Sequence, residues 1–457
     1  MRHISLFALF LVTACMPAPT AQVTKTYAQD TSSSIAFPAV EDPGVASRPF
    51  KSRPNAELAH DFLDLEFRME SGRANPYLSR FEGPISVKLQ GAVPATAPAD
   101  LAQVLGRLRN EAGLNVRFAK PQESASVTIE FLPRAKMQSL VPMAACFTVP
   151  RVQSWAEYQA ERNGAKLDWT SVTHRDHVAI FIPSDAAPQE VRDCLNEETA
   201  QSMGPLNDLY RVADSVFNDD NFNSVLTQFD MLMLRLHYAP ELRSGMNEAE
   251  VARHLPALLA RYNPAGAYAG GQIGEIAPRV WISEVERAFG PVGSNSQRLA
   301  ASNQMLHIAM TQGWHDNRLA FSLYAKGRSL ATTDPTEAVK ALRQAAQIYR
   351  SIPNTQIHLA HVDMQLAAIA LAAGQNQQTI AFADRAIPVV KSAKNASLLA
   401  TLMLIKAEAL ENLGQVAQAR ALRLDSLAWA RYGFGSDEKV QARMADIASL
   451  GAHGTRG

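Results

Sequence analysis

Val178-Ala-Ile-Phe-Ile182, followed after a short turn by the helical text from Pro188 to Met203, decides the fold of the first half of the chain. Five consecutive apolar residues are too few for a buried helix and read as a strand covered on both faces. Working upstream, Val127-Thr-Ile-Glu-Phe131 and Val116-Arg-Phe118 are further strands, and Ile85-Ser-Val-Lys-Leu89 alternates as a half-buried strand does. Between the first two strands, Leu101, Val104, Leu105 and Leu108 recur at helical spacing, with Asp100 as the expected N-cap and Gly113 near the end. A first helix is predicted from Glu57 to Arg68 (Leu58, Phe62, Leu63, Phe67), so order is expected to begin near Asn55. This order of strand, helix, three strands and helix predicts a mixed α/β layer. Downstream, Thr227 with Asp230 and Asn247 with Glu250 have the spacing of helix N-terminal capping boxes, and the second helix runs to about Arg261. The α/β domain is accordingly placed at 55–262.

The text then changes. Asn263 to Ala277 is Gly-rich and loose, a short amphipathic helix is expected from Val280 to Phe289, and Gly293-Ser294 breaks the chain again, so 263–295 reads as a linker. From 296 to 457 the sequence is rich in Ala and Leu and repeats itself: Phe321-Ser-Leu-Tyr-Ala-Lys-Gly327, Met364-Gln-Leu-Ala-Ala-Ile-Ala370 and Leu402-Met-Leu-Ile-Lys-Ala-Glu408 stand about 40 residues apart. A short turn and an Ala-rich second helix follow each. Small residues at such positions let paired helices approach closely. The pattern resembles tetratricopeptide-like helical repeats, with a period longer than their usual ~34 residues. A last helix opened by Ser436-Asp437 is expected to cap the open end.

At the other end, Arg2, the apolar run Ile4 to Val12 and Thr13-Ala14-Cys15 resemble a bacterial lipoprotein signal of residues 1–15. That resemblance implies lipid on Cys15. Met16 behind it, rather than Asp, implies sorting to the outer membrane, facing the periplasm. The Pro/Ala/Ser/Thr-rich residues 16–54 have no apolar period and read as a tether. With Cys15 acylated, Cys146 and Cys194 remain as a pair in an oxidising compartment, and a disulfide between them is expected. Two buried free thiols are the rival reading. Lys+Arg 44 against Asp+Glu 44 gives no global field, and there is no basic stripe with interleaved aromatics, so nucleic acid is not an expected partner.

Glu197-Glu-Thr-Ala-Gln-Ser-Met-Gly-Pro-Leu-Asn207 holds the functional question. It resembles the H-E-x-x-H-x-x-G-x-x-H helix and turn of metzincin-type zinc peptidases with the ligands replaced. Glu197, Gln201 and Asn207 stand at the three ligand places, Glu198 at the catalytic glutamate and Gly204 at the turn glycine. Asp214-Ser-Val-Phe217 is similar to that family's methionine turn with Phe217 in place of the methionine, and Leu226 to Tyr238 to its closing helix. The resemblance implies a zincin-like domain over about 55–262, in an uncharacterised Gram-negative lipoprotein family. Zinc prefers sulfur and imidazole, and an oxygen-only set holds it poorly.

Three readings of Glu197 and Glu198 therefore stay open. Their carboxylates bond local backbone or an arginine; or Glu198, on a stripe with Val191, Cys194 and Leu195, anchors a cleft that binds peptide uncut; or Glu197, Glu198 and Asp208 hold a hard divalent cation or do acid–base chemistry. No cofactor is otherwise expected. Asn218-Asp-Asp-Asn221 reads as turn-capping chemistry rather than a calcium loop. His174 with His177 reads as a wet loop pair, and His358 with His361 as interhelical packing. The expected protein is a non-catalytic, membrane-anchored scaffold for a protein or peptide partner. The alternative is an atypical hydrolase using Glu198.

Overall fold

The computed structural model describes residues 52–454 apart from 272 and 291; the expected signal, Cys15 and nearly all of the expected tether lie outside the described residues. A helix, α1 (Asn55–Phe67), precedes the sheet strands β1 (Ile85–Gly91), β2 (Val116–Phe118), β3 (Val127–Leu132), β4 (Phe147–Pro150) and β5 (Val178–Pro183). The strand order is β2-β1-β3-β5-β4. All neighbours pair parallel except β4, which runs antiparallel to β5 with Phe147 opposite Phe181.

The two faces of this sheet explain the sequence of β5, in which all six residues are buried. Successive side chains point to opposite faces. Val178, Ile180 and Ile182 join the main core under the helices α2 (Ala97–Glu111) and α5 (Pro188–Met203). Ala179 and Phe181 face a smaller cluster with Met137 and Trp155, carried by the short helices α3 (Arg134–Gln138) and α4 (Trp155–Glu161). Phe181 lies 5.1 Å from Trp155, edge to face. Sequence reading missed β4, α3 and α4, short elements held by contacts with distant parts of the chain.

Two boundaries differ in detail. Helix α2 starts at Ala97 behind Thr96, with a proline in its first turn, rather than at an Asp100 cap. The fixed φ of Pro98 suits that first turn. Asp100 instead accepts a hydrogen bond from Tyr432 Oη at 3.0 Å. The capping boxes at Thr227/Asp230 and Asn247/Glu250 both form, opening α6 (Gln228–His237) and α7 (Glu248–Tyr262).

After α8 (Arg279–Phe289) and α9 (Asn295–Thr311) the chain is a row of antiparallel helix pairs: α10 (Asn317–Leu330) with α11 (Pro335–Ser351), α12 (Gln356–Ala372) with α13 (Asn376–Ser392), and α14 (Ala396–Asn412) with α15 (Val416–Phe434). A final helix, α16 (Asp437–Gly454), packs on α12 and α14. The three quoted heptamers fall in α10, α12 and α14, the inner helices. Close approach is literal here: a Cβ on Gly433 would stand 2.6 Å from Ser397 Cα, and one on Gly327 2.6 Å from Leu342 Cγ.

The two halves are packed together. Gln189 of α5 donates to Asn395 Oδ1 at 3.0 Å and accepts from Ser397 N at 2.8 Å. Tyr210 and Phe222, which precede α6, belong to the core of the helical half.

Candidate functional site

Helix α5 begins with proline in its first turn and ends at Gly204, whose N–H bonds Ala200 O. A Cβ at Gly204 would lie 3.2 Å from Leu234 Cδ2 and 3.5 Å from His237 Cγ, so glycine lets the end of α5 press against α6. The last carbonyls are held by Arg175, which is 3% exposed. Its guanidinium donates to Gln201 O at 2.9 Å and Gly204 O at 2.5 Å, and lies 5.0 Å over the Trp169 ring. A cation at helix C-terminal carbonyls is favourable both as donor and against the dipole. Cys194 Sγ is bonded to Cys146 Sγ at 2.06 Å, which ties α5 to the segment leading into β4.

This fixed helix end carries an accumulation of carboxyl groups. Glu198 is 5% exposed, packed as Val191, Cys194 and Leu195 are, and its Oε2 has no hydrogen-bond partner. Burial pushes the Glu198 carboxyl up to about 8, and the negative charges of Glu70 and Asp219 add to the effect. Glu197, half-buried, is raised well above the usual range by burial first, then by Glu198 and Asp219. Asp208 is raised in the same way by burial, then by Glu70 and Glu197. Burial and Glu70 bring Asp219 to about 7, offset in part by Tyr210 Oη, which donates to Asp219 Oδ2 at 2.8 Å. Glu70 itself, just beyond α1, is exposed, so the group of five opens to solvent on one side. Among the described residues, no lysine or arginine forms an ion pair with any of the five.

That is not the treatment given to acids nearby. Arg211 pairs with Asp61 at 2.7 Å and Asp64 at 2.8 Å, and Arg53 pairs with Asp61, Glu57 and Asp214. Arg53 lies 4.5 Å over Phe229 in a separate cavity of about 410 Å³ between α1, α2 and α6.

The three positions aligned with metal ligands part company. Glu197 belongs to the carboxyl group just described. Gln201 reaches the same place, its Nε2 3.5 Å from Asp208 Oδ2. Asn207 is fully buried and donates to the backbone oxygen of Asp64 at 3.0 Å. Among the described residues no three His, Cys, Asp or Glu side chains are placed to hold one metal ion. The turn at Asp214 to Phe217 is built around the capping residue of α6: Ser215 Oγ donates to Asp230 at 2.5 Å and Val216 N at 3.2 Å, with Phe217 in the core.

Residues 218–222 do the work of turn capping: Asp220 Oδ1 accepts from Phe222 N at 3.0 Å. Asp220 Oδ2 also accepts from Asn218 at 2.9 Å and Asn317 at 3.1 Å and lies 3.2 Å from His358 Nε2. His361 stacks on Phe222 at 4.4 Å. His358 and His361 are thus packing residues, at the junction of the two halves. His174 pairs with exposed Asp176 at 3.1 Å. Sequence reasoning missed Glu70, Asp219 and Tyr210 as neighbours of Glu198, because chain turns after α1 and α5 bring them there and no short spacing records it. The buried pair His237 and Glu66, 2.9 Å apart, was equally invisible.

Residues 55–257 match a family described only as protein of unknown function, DUF2927. A DUF2927 domain thus covers the whole sheet, the acid group and most of α7. No curated protein matches the chain. No solved structure matches it either.

Proposed function

We propose that the protein is a non-catalytic binding protein: a lipoprotein anchored through Cys15 at the periplasmic face of the outer membrane, with a degenerate zincin-like domain and tetratricopeptide-like repeats that take a protein or peptide partner. The fate of Asn207 carries this reading. Asn207, at one of the ligand places, is fixed inside the fold by its amide N–H on the Asp64 backbone and keeps only a neutral amide oxygen, a poor zinc ligand. The remaining donors, Glu197 and Gln201, supply oxygens that do not fit zinc, and no zinc step is drawn through them. The order of strands and helices supports the zincin-like reading. The stacked hairpins α10–α15 support a repeat surface for a partner, since such arrays offer extended faces for binding.

Glu198 supports a second reading. A carboxyl pushed up to about 8 keeps its proton at neutral pH, the state a general acid needs. One experiment separates the two. The purified protein is assayed for metal content and for cleavage of a peptide library, beside Glu198→Ala. The expected result is no turnover and no stoichiometric metal; cleavage that Glu198→Ala abolishes, or one tightly held zinc, overturns the proposal. Anchoring is checked by fractionation: Cys15→Ser is expected to move the protein from membranes to the soluble fraction.

A further inference from the structure

We infer that the cavity of about 410 Å³ between α1, α2 and α6 is a binding site for an apolar monocarboxylate, supplied either as a free organic acid or as the C-terminus of a polypeptide. The inference goes beyond the reading above and does not rest on it.

Helix α6 builds one wall. Gln228, Leu232 and Arg235 recur at i, i+4 and i+7, so they share a helix face, and all three line the cavity. Seven residues at ~1.5 Å each set its two polar ends about 10 Å apart. Leu232 between them is half-buried. The floor is Leu58 of α1 with Phe229 and Met231 of α6, each 3% exposed. Tyr262, the last residue of α7, stands beside Arg235, whose guanidinium is 5.8 Å from its ring centre. The volume falls within the ~300–1,000 Å³ of small-molecule pockets, which are mostly apolar with a few placed polar groups.

Charge then selects the ligand. The acids in the wall are already satisfied. Glu111 accepts from Arg107 at 2.7 Å and 2.8 Å on its two oxygens. Asp214 lies 3.4 Å from Arg53 and accepts from Asn354 at 2.8 Å. Arg53 in turn is held by Asp61 and Glu57. Arg235 is different. Its Nη2 donates to the backbone oxygen of Glu111, which uses one of the five N–H donors of a guanidinium. No carboxylate among the described residues stands within ion-pair distance of it. The exposed amides of Asn110 and Gln228 also bond nothing among the described residues. The cavity thus combines one uncompensated cation, spare N–H donors and an apolar floor.

A carboxylate accepts parallel N–H bonds from a guanidinium, while the apolar body behind it leaves water against the floor. A single guanidinium balances a monoanion; a phosphate group, at about −1.5 to −2 near neutral pH, leaves charge unmatched. The N-terminal amides of α6 offer no second anion site, because Thr227 and Asp230 close them as a capping box.

The test is titration calorimetry on the full-length protein at pH 7.5. The probes are N-acetyl-phenylalanine, its neutral amide, the peptide acetyl-Ala-Ala-Phe with a free C-terminus, acetate and inorganic phosphate. One molecule of N-acetyl-phenylalanine is expected to bind per chain, at least about tenfold tighter than its amide or acetate, as a charged hydrogen-bond pair predicts. Arg235→Gln is expected to weaken it by about tenfold or more. Leu232→Trp, which fills the cavity and keeps the charge, is expected to abolish it, and decides alone where Arg235→Gln loses its circular dichroism spectrum. Binding of acetyl-Ala-Ala-Phe assigns the source as a polypeptide C-terminus; refusal of that peptide beside bound N-acetyl-phenylalanine assigns a free acid. The inference is overturned when neither apolar acid binds, when the amide matches the acid, when acetate or phosphate binds as tightly, or when either folded variant binds as the wild type does. The non-catalytic reading is decided separately, by the peptide-library assay.

Discussion

Replacing Glu198 with glutamine should change how stability depends on pH. In the folded protein burial, with Glu70 and Asp219, raises the carboxyl from its ordinary 4.5 to about 8. Below pH 4.5 both folded and unfolded chains hold this proton, and nothing is lost. Above it the unfolded chain ionises while the folded chain does not, so stability falls until the folded group also ionises near 8. The slope is about 1.4 kcal/mol per pH unit for one such group, so between pH 6 and pH 8 the wild type should lose roughly 2–3 kcal/mol through this residue. Asp219, raised to about 7, acts in the same direction but titrates together with Glu198, so the two losses do not simply add. Glutamine has no proton to lose in either state. Guanidinium unfolding of both proteins at pH 6 and pH 8, followed by tryptophan fluorescence, gives the comparison. The stability of Glu198→Gln relative to wild type should rise by about 2–3 kcal/mol across that interval. A difference that stays constant between the two pH values refutes the argument, because the carboxyl would then ionise alike in both states.

Two further predictions concern the frame around the site. The Cys146→Ser/Cys194→Ser double variant releases a cross-link spanning 48 residues and should lose about 4 kcal/mol in denaturant unfolding, on the loop-entropy account. Gly433→Ala places a Cβ 2.6 Å from the Ser397 backbone and should cost about 1–3 kcal/mol as α14 and α15 are forced apart, read as a lower thermal midpoint with the α/β half unchanged in far-ultraviolet circular dichroism.

What was legible in the sequence followed from periodicity and local capping. The unbroken apolar run of β5 announced an interior strand because both of its faces are covered, by α5 on one side and Trp155 on the other. Thr227 with Asp230 and Asn247 with Glu250 announced helix starts because capping is settled within four residues. The hairpins were readable because small residues recur where helices touch. Short β4 carried no such signal: four residues, three of them half-buried, are held mainly by pairing to β5, a contact between distant parts of the chain. The site shows the same division. Glu197 and Glu198 could be singled out from their place in an eleven-residue frame, whereas Glu70 lies more than a hundred positions upstream and Asp219 comes in through the turns after α5. Of the three readings of the two glutamates, the one that had them bond local backbone or an arginine could not name the arginine that does lie at this helix end: Arg175 comes from the loop before β5 and donates to the carbonyls of Gln201 and Gly204.

Asp219 and Asp220 are adjacent in the chain and face opposite ways, one into the acid group and the other onto Asn317 and His358, while Phe222 plugs the aromatic nest of the helical half against Phe321 and Tyr324. The stretch that matches DUF2927 ends at residue 257, yet a carboxylate and an aromatic ring inside it obtain their surroundings from far beyond that border. Cutting the protein there would strip both of their lining, bare a greasy knob to water and unmoor the loop that carries Asp219. The unit that folds around these residues is larger than the unit that sequence comparison delimits.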